Sequence, residues 1–258
     1  MIRQLSGVAR VGLRLAFTYR SDAFMTSIVL VAQVLLLRMI WTGLYGARQQ
    51  AGGLTLQELL VYLTLANLQA FAMNMTIGQI IHRRIRQGVV FFDLARPTAY
   101  LVHMAVLQVG NTFGMLLLLV PVVPLMLLIG SISQPVNLPA YLGTLVLGYV
   151  IGVMMALLIC LVGFWTLETN GLFLLYRLMS QFFAGTMVPL SFFPGALGDL
   201  ADLLPFKFMG YVPAAIYVGS VTEVSQALVV EAVWIVLLAG VLWLVWTRAH
   251  RRVVINGG

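Results

Sequence analysis

The stretch YLGTLVLGYVIGVMMALLICLVGFW, residues 141–165, decides the fold class of this chain of 258 residues. It contains no charged side chain. A helix needs about 20 mostly apolar residues to cross the roughly 30 Å hydrocarbon core of a bilayer, so this stretch is long enough to span a membrane. Comparable stretches lie on both sides of it, with polar clusters between them. The pattern predicts an all-α membrane protein.

The composition of the whole chain agrees with this prediction. Hydrophobic residues make up 61% of the sequence and charged residues 9%, whereas ordinary soluble domains have roughly 45–50% and about 25%. The net charge is +7, but the basic residues flank apolar stretches instead of forming one water-exposed face. We therefore expect membrane lipids as neighbours and no nucleic acid as a partner.

The apolar stretches predict a single transmembrane domain, 1–258, that crosses the bilayer six times. The predicted transmembrane helices cover about residues 23–45, 56–81, 101–129, 141–165, 172–188 and 227–246. Pro121 and Pro124 come late in the third, where proline kinks or ends a helix.

Residues 1–21 precede the first predicted span and are only moderately apolar. Arg3, Arg10 and Arg14 fall close together on a helical wheel, with apolar residues recurring at helical spacing beside them. This pattern predicts an amphipathic helix in the membrane interface. A loose cytoplasmic tail is the alternative.

The arginine and lysine distribution predicts the orientation, because short cytoplasmic loops are enriched in these residues. One side collects eleven arginines: Arg3, Arg10, Arg14, Arg20, Arg83, Arg84, Arg86, Arg96, Arg248, Arg251 and Arg252. The other side has Arg48 and Lys207, with Arg38 near the end of its span. Both termini (N-in, C-in) and the loop 82–100 are therefore predicted to be cytoplasmic.

The segment 189–219 is then external, between spans five and six. Prolines interrupt its short apolar pieces, and such a pattern suits neither a full span nor an ordinary hydrophilic loop. We expect short helices or a re-entrant hairpin there. Pro189, Pro194 and Pro205 are assigned to an external gate segment.

The sequence lacks the motifs of an enzyme. It contains no G-x-x-x-x-G-K-[ST] phosphate-binding loop, and Lys207 is its only lysine. His82, His103 and His250 lie far apart in sequence, so no metal site is expected. Cys160, the single cysteine, lies in an apolar run and is interpreted as a packing residue. The chain is thus not expected to catalyse a reaction by itself.

The interior of the predicted spans carries uncharged polar residues, while the acidic residues fall at span ends or only a turn or two inside. A candidate translocation path is formed by Gln33, Asn67, Asn74, Gln108, Asn111 and Gln181. Hydrogen bonding between helices is the alternative role for each of these residues.

The predicted cytoplasmic loop has the sequence HRRIRQGVVFFDLARPTAY, residues 82–100. Arg83, Arg84 and Arg86 would bind anionic headgroups or an acidic protein surface. Gly88 breaks a helix and Pro97 starts or ends one. A plain positive-inside anchor is the alternative, but it leaves the GVVFFDLARP string unexplained.

Two segments carry a family resemblance. They are IRQGVVFFDLARPTAY, 85–100, and MVPLSFFPGALGDLADLLPF, 187–206, the latter followed by Gly210, Tyr211 and Pro213. Both resemble the membrane subunits of ABC type-2 exporters, specifically the six-span permeases of this length, and the resemblance extends over essentially the whole chain.

The resemblance implies a cytoplasmic coupling helix that docks on a nucleotide-binding subunit. Its residues would include Arg83, Arg84, Arg86, Gly88, Asp93, Arg96 and Pro97. The implied partners are two ATP-binding-cassette ATPase subunits and a second permease chain, a copy or a paralogue. ATP and Mg²⁺ would bind to the partner ATPase, with no cofactor in this chain.

The function expected from these observations is export of an amphiphilic or hydrophobic substrate across the plasma (inner) membrane of a prokaryote. The alternatives are an ATP-independent carrier, a membrane scaffold subunit and, as a third class, an intramembrane enzyme.

Overall fold

The computed structural model describes residues 2–46, 48–73, 77–87, 99–130, 133–163, 165–166 and 170–256. The α-helices are α1 (Ile2–Thr18), α2 (Arg20–Tyr45), α3 (Leu56–Ala72), α4 (Ile77–Arg86), α5 (Tyr100–Leu119), α6 (Val123–Gly130), α7 (Leu138–Val162), α8 (Asn170–Phe183), α9 (Gly195–Leu203), α10 (Tyr211–Val218) and α11 (Val224–Asn256). Short 3₁₀ helices cover Leu190–Phe192 and Pro205–Met209, and a small antiparallel hairpin pairs β1 (Gln50–Ala51) with β2 (Leu54–Thr55). The predicted all-α class is confirmed.

Four of the described helices are long and apolar enough to cross a membrane. They are α2, α5, α7 and the Val224–Ala249 part of α11. Two other predicted spans contain shorter helices. In span 56–81, α3 has 17 residues, and in span 172–188, α8 has 14. At about 1.5 Å per residue, α8 is only roughly 21 Å long.

Two helix starts are fixed by side-chain caps close to their predicted positions. At the start of α3, the Thr55 hydroxyl accepts a hydrogen bond from the Glu58 amide, and the Glu58 carboxylate accepts one from the Thr55 amide at 2.8 Å. This reciprocal pair satisfies two backbone donors of the first turn. At the start of α7, Asn137 Oδ1 accepts from the Ala140 amide at 3.1 Å.

Helix α1 packs lengthwise on α5 through small residues. A Cβ atom on Gly110 would overlap the Ala9 carbonyl oxygen, and one on Gly114 would overlap the Ala16 side chain. Gly12 lies equally close to the α5 backbone. Small residues let helix backbones approach closely, which is how helices associate where the surrounding lipid is itself apolar. Arg10 and Arg14 remain exposed on the other side of α1.

The third predicted span is two helices. Residues 120–122 form a turn between α5 and α6, with Pro121 in the turn and Pro124 in the first turn of α6. Proline lacks the amide hydrogen that a continuous helix requires, so the predicted kink occurs here. At the end of α6, the Arg38 guanidinium donates a hydrogen bond to the Ile129 carbonyl.

Helix α7 lies at the centre of the described fold and contacts α11, α10 and the Pro205–Met209 turn. Gly148 permits this contact, because a Cβ atom there would overlap the Phe208 carbonyl oxygen. Ile151, Phe208, Ile216 and Leu238 form a buried cluster around it. The proline-rich segment 189–219 is therefore packed into the helix bundle instead of extending away from it.

Candidate functional site

A partly open cavity of about 200 Å³, with polar and apolar walls, lies between α2, α3 and α8. Apolar residues of the same helices complete its wall, among them Leu30, Phe71 and Phe173. Its polar lining consists of Thr26, Gln33, Asn67, Arg177, Ser180, Gln181 and Thr186. Three residues of the predicted translocation path, Gln33, Asn67 and Gln181, thus meet in one cavity although they come from three different helices.

The helical period places the polar residues of each helix on a common face. Thr26 and Gln33 are seven residues apart on α2, which is about two turns. Ser180 and Gln181 follow Arg177 on α8 at the i+3 and i+4 positions, which lie next to each other on a helix surface. Two polar stripes therefore border the cavity.

The end of α8 is held against α3 by two hydrogen bonds to backbone carbonyls. The Tyr62 hydroxyl donates to the Gly185 carbonyl at 2.8 Å. Asn67 Nδ2 donates to the Thr186 carbonyl at 2.8 Å and to the Leu63 carbonyl at 2.8 Å. Gly185 has φ +71°, a left-handed conformation that favours glycine and ends the helix. These bonds satisfy carbonyls that no longer have helical partners.

Arg177 is a cavity residue that the sequence analysis missed. It lies within the predicted span 172–188, whereas the polar residues predicted inside the spans are all uncharged. That prediction is wrong for α8, because Arg177 lines the cavity about seven residues into the helix. The available signal was an arginine within an otherwise apolar span, since such residues usually face a cavity or the bundle interior.

Gln108 and Asn111 are buried, but they do not line the cavity. Gln108 Oε1 accepts a hydrogen bond from the Ile77 amide at 3.0 Å, and its Nε2 donates to Thr112 Oγ1 at 3.1 Å. The Tyr149 hydroxyl donates to the same Thr112 oxygen at 2.9 Å. This network joins α4, α5 and α7, so Gln108 has the alternative role of hydrogen bonding between helices.

The predicted coupling region is described only at its beginning. Arg83, Arg84 and Arg86 belong to α4. The loop was predicted to begin at residue 82, but the helix continues to Arg86. Of these three, Arg84 is half-buried. Five predicted site residues lie outside the described residues: Asn74, Gly88, Asp93, Arg96 and Pro97.

The predicted external gate prolines delimit the short helices of segment 189–219. Pro189 precedes the Leu190–Phe192 turn, Pro194 precedes α9, and Pro205 begins the next 3₁₀ helix. Proline suits these positions because the amides of the first helical residues have no acceptor within the helix, so the missing N–H of proline costs no hydrogen bond. Within the segment, Lys207 forms an ion pair with Asp202 at 2.7 Å.

Three connecting segments that were predicted on the same side of the membrane meet in the structure. The Phe192 ring lies 4.9 Å from the Trp41 ring in a tilted arrangement, and it packs on Gly52 in the connection between α2 and α3. The Tyr217 hydroxyl donates to the Ser133 carbonyl at 2.7 Å, linking segment 189–219 to the connection before α7. These contacts show that the three segments lie next to one another.

Glu231 is an ionisable residue inside α11, one of the helices long enough to cross a membrane. Its side chain is fully buried, and neither carboxylate oxygen has a hydrogen-bond partner among the described residues. A buried carboxylate without a partner is costly, and such groups require an explanation.

Four described helices are long and apolar enough to cross a membrane, which is the architecture of a helical membrane protein. The chain belongs to the ABC-2 transporter family, because its residues 26–257 match the family described as "ABC-2 family transporter protein". No curated protein matches the sequence. Membership makes the chain a multi-pass membrane subunit that is not itself catalytic, and it implies a transporter complex with ATPase partners.

Proposed function

We propose that this chain is the permease subunit of an ATP-driven exporter that moves an amphiphilic or hydrophobic substrate out across the plasma membrane of a prokaryotic cell. The observation that carries the proposal is the cavity between α2, α3 and α8, which combines polar and apolar walls. A purely structural contact between membrane helices does not require such a cavity. Family membership supports ATP as the energy source.

The proposed topology has six spans with both termini in the cytoplasm. In addition to the four long helices, α3 continued by α4 forms the second span, and α8 with the residues after it forms the fifth. The contacts Trp41–Phe192 and Tyr217–Ser133 support a common external side for the connecting segments. The arginine-rich end of α4 is then cytoplasmic.

In this mechanism, two permease chains, identical or paralogous, form the pathway at their interface. Two ATPase subunits, which bind ATP and Mg²⁺, dock on residues 82–97 of each permease. Their closure on ATP moves α4 and, through the short link between them, α3. Because Asn67 and Tyr62 of α3 bind the end of α8, a displacement of α3 is transmitted to the cavity wall.

Export from inside-out vesicles that contain the complex tests the proposal. Addition of ATP and Mg²⁺ should drive uptake of amphiphilic fluorescent probes, and a non-hydrolysable ATP analogue should not. Uptake that is independent of ATP but follows an imposed ion gradient would overturn the proposal.

One observation favours the alternative of an ATP-independent carrier. Glu231 is an ionisable group buried in α11, and ion-coupled carriers use such intramembrane groups. Transport that is abolished by Glu231→Gln in ATP-free vesicles under a proton gradient would support this alternative. We favour the exporter because Glu231 does not line the cavity.

A further inference from the structure

Arg177 is the starting point, because it brings a permanent positive charge into a membrane helix. It lies about seven residues from the start of α8, or roughly 10 Å along the helix axis. Charged side chains at such depth are costly in lipid, so they normally face a water-filled cavity or a partner of opposite charge. Arg177 is exposed and lines the cavity.

The described part of the chain does not supply that partner. Neither aspartate nor glutamate is among the described residues that line the cavity. The ion pair between Lys207 and Asp202 belongs to the proline-rich segment, and Glu58 is engaged in the cap of α3. The positive charge of Arg177 is therefore available to a ligand.

The surroundings of Arg177 offer further donors and an adjoining apolar wall. Gln181 shares its face of α8 and Gln33 lines the cavity from α2, and both carry amide donors. The Ser180 and Thr26 hydroxyls also line the cavity, but they donate to the Arg177 and Asp22 carbonyls. Phe173 lies one turn away on α8. A guanidinium binds an oxyanion with two parallel hydrogen bonds, and neighbouring amide groups supply donors for its remaining oxygen atoms.

The size of the cavity limits what it encloses. Pockets that enclose a drug-sized ligand have volumes of about 300–1,000 Å³, whereas this cavity has about 200 Å³. It therefore accommodates the head of an amphiphile, with the apolar chain extending along Val29 and Leu30 toward the outer surface of the helices.

We propose that the cavity is a binding site for the anionic headgroup of an amphiphile, a phosphate, sulfate or carboxylate, with Arg177 as its counter-ion. This inference rests on the proposed function for the view that the bound amphiphile is the exported substrate. It narrows that substrate from any amphiphile to one with a negatively charged head.

The test uses the purified full-length chain in phosphatidylcholine nanodiscs and measures binding by isothermal titration. The probes are dodecyl phosphate, dodecylphosphocholine with the same chain and a zwitterionic head, and inorganic phosphate without a chain. The expected result is a preference of about tenfold or more for dodecyl phosphate over dodecylphosphocholine, as a charge-assisted hydrogen bond provides. Inorganic phosphate should bind more weakly than dodecyl phosphate.

Arg177→Gln should remove this preference, and Arg177→Lys, which keeps the charge, should retain most of it. The matched control is Arg14→Gln, which removes an exposed arginine of α1 outside the cavity and should leave the preference unchanged. Equal binding of the two dodecyl probes to the unmodified chain, or an unchanged preference in Arg177→Gln, would overturn the inference. Because Arg177→Lys retains the charge, its binding shows whether the fold tolerates a change at this position.

A second titration separates the two sources of an anionic head. Competition by phosphatidylglycerol included in the nanodisc would identify a bilayer lipid as the occupant, and undiminished binding of dodecyl phosphate would identify a molecule other than the bulk lipid. Both results support an anionic site. The binding measurement needs no ATPase, so a negative binding result would not contradict ATP-driven export. Conversely, uptake into vesicles that does not depend on ATP would not contradict the anionic site.

Discussion

Asn67 Nδ2 donates a hydrogen bond of 2.8 Å to the carbonyl oxygen of Thr186, although the two residues are 119 positions apart in the sequence. The bond connects the middle of α3 to the residues that follow α8, and both partners are buried. It therefore fixes one corner of the cavity between α2, α3 and α8.

Asn67→Ala should lower stability because the Thr186 carbonyl would remain buried without this donor. The cost of such a group is about 1–3 kcal/mol, which should appear as a lower Tm in thermal unfolding of the purified chain in nanodiscs. Gln57→Ala, an exposed change on the same helix, is the control and should have little effect. Equal Tm values for the two variants would show that the bond does not hold α8 in place.

Gly148→Val should also destabilise the fold, by a different mechanism. A side chain at this position would overlap the Phe208 carbonyl oxygen and force α7 away from the Pro205–Met209 turn. Overpacking of this kind typically costs about 1–3 kcal/mol. The control is Gly240→Val in α11, where a Cβ atom meets no described neighbour within 4 Å. Gly148→Val should therefore have a clearly lower Tm than Gly240→Val. A lower Tm for Gly240→Val than for Gly148→Val would contradict the packing described here.

Glu231→Leu should raise the Tm, because it replaces two buried oxygens that have no hydrogen-bond partner among the described residues by an apolar group of similar size. We expect a gain of about 1 kcal/mol or more, since an unsatisfied buried polar group costs about 1–3 kcal/mol. Glu223→Leu, at an exposed position just before α11, should have little effect on the Tm. A lower Tm for Glu231→Leu would mean that the carboxyl group has a partner in the assembled protein.

Reversal of charge at Arg83, Arg84 and Arg86 to glutamate should release or uncouple the ATPase while the membrane helices remain inserted. The reason is that three positive charges at the end of α4 would be replaced by negative ones at the proposed docking surface. Retention of the ATPase on the affinity-purified permease measures the effect. The same reversal at Arg10 and Arg14 of α1 controls for a general change in charge. Normal retention and export in the α4 variant would show that these arginines only set the topology.

Much of the fold was predictable because it depends on local sequence. The long apolar stretches predicted the helices that became α2, α5, α7 and α11. Proline chemistry predicted both the break at residues 120–122 and the short helices after residue 189. The start of α3 at Leu56 follows from a capping pair, Thr55 and Glu58, that is only three residues apart.

The cavity was only partly predictable because its walls depend on contacts that are distant in sequence. Asn67 and Gln108 both have amide side chains and both lie in apolar helices. Only the packing shows that Asn67 lines the cavity, whereas Gln108 forms hydrogen bonds with Ile77 and Thr112. The position of the end of α8 depends on Tyr62 and Asn67 of α3, which donate hydrogen bonds to carbonyls after its last turn. Arg177 was missed because a strongly apolar window outweighs a single arginine.

The most direct test of the central claim is the rate of ATP hydrolysis by an ATPase that co-purifies with this chain. Export powered through residues 82–97 predicts that an ATP-binding-cassette ATPase is retained on the tagged permease. It also predicts that the ATPase hydrolyses ATP faster in the complex than alone, with a further increase on addition of dodecyl phosphate. A permease that retains no ATPase, or an ATPase whose rate is the same with and without the permease, would contradict the account.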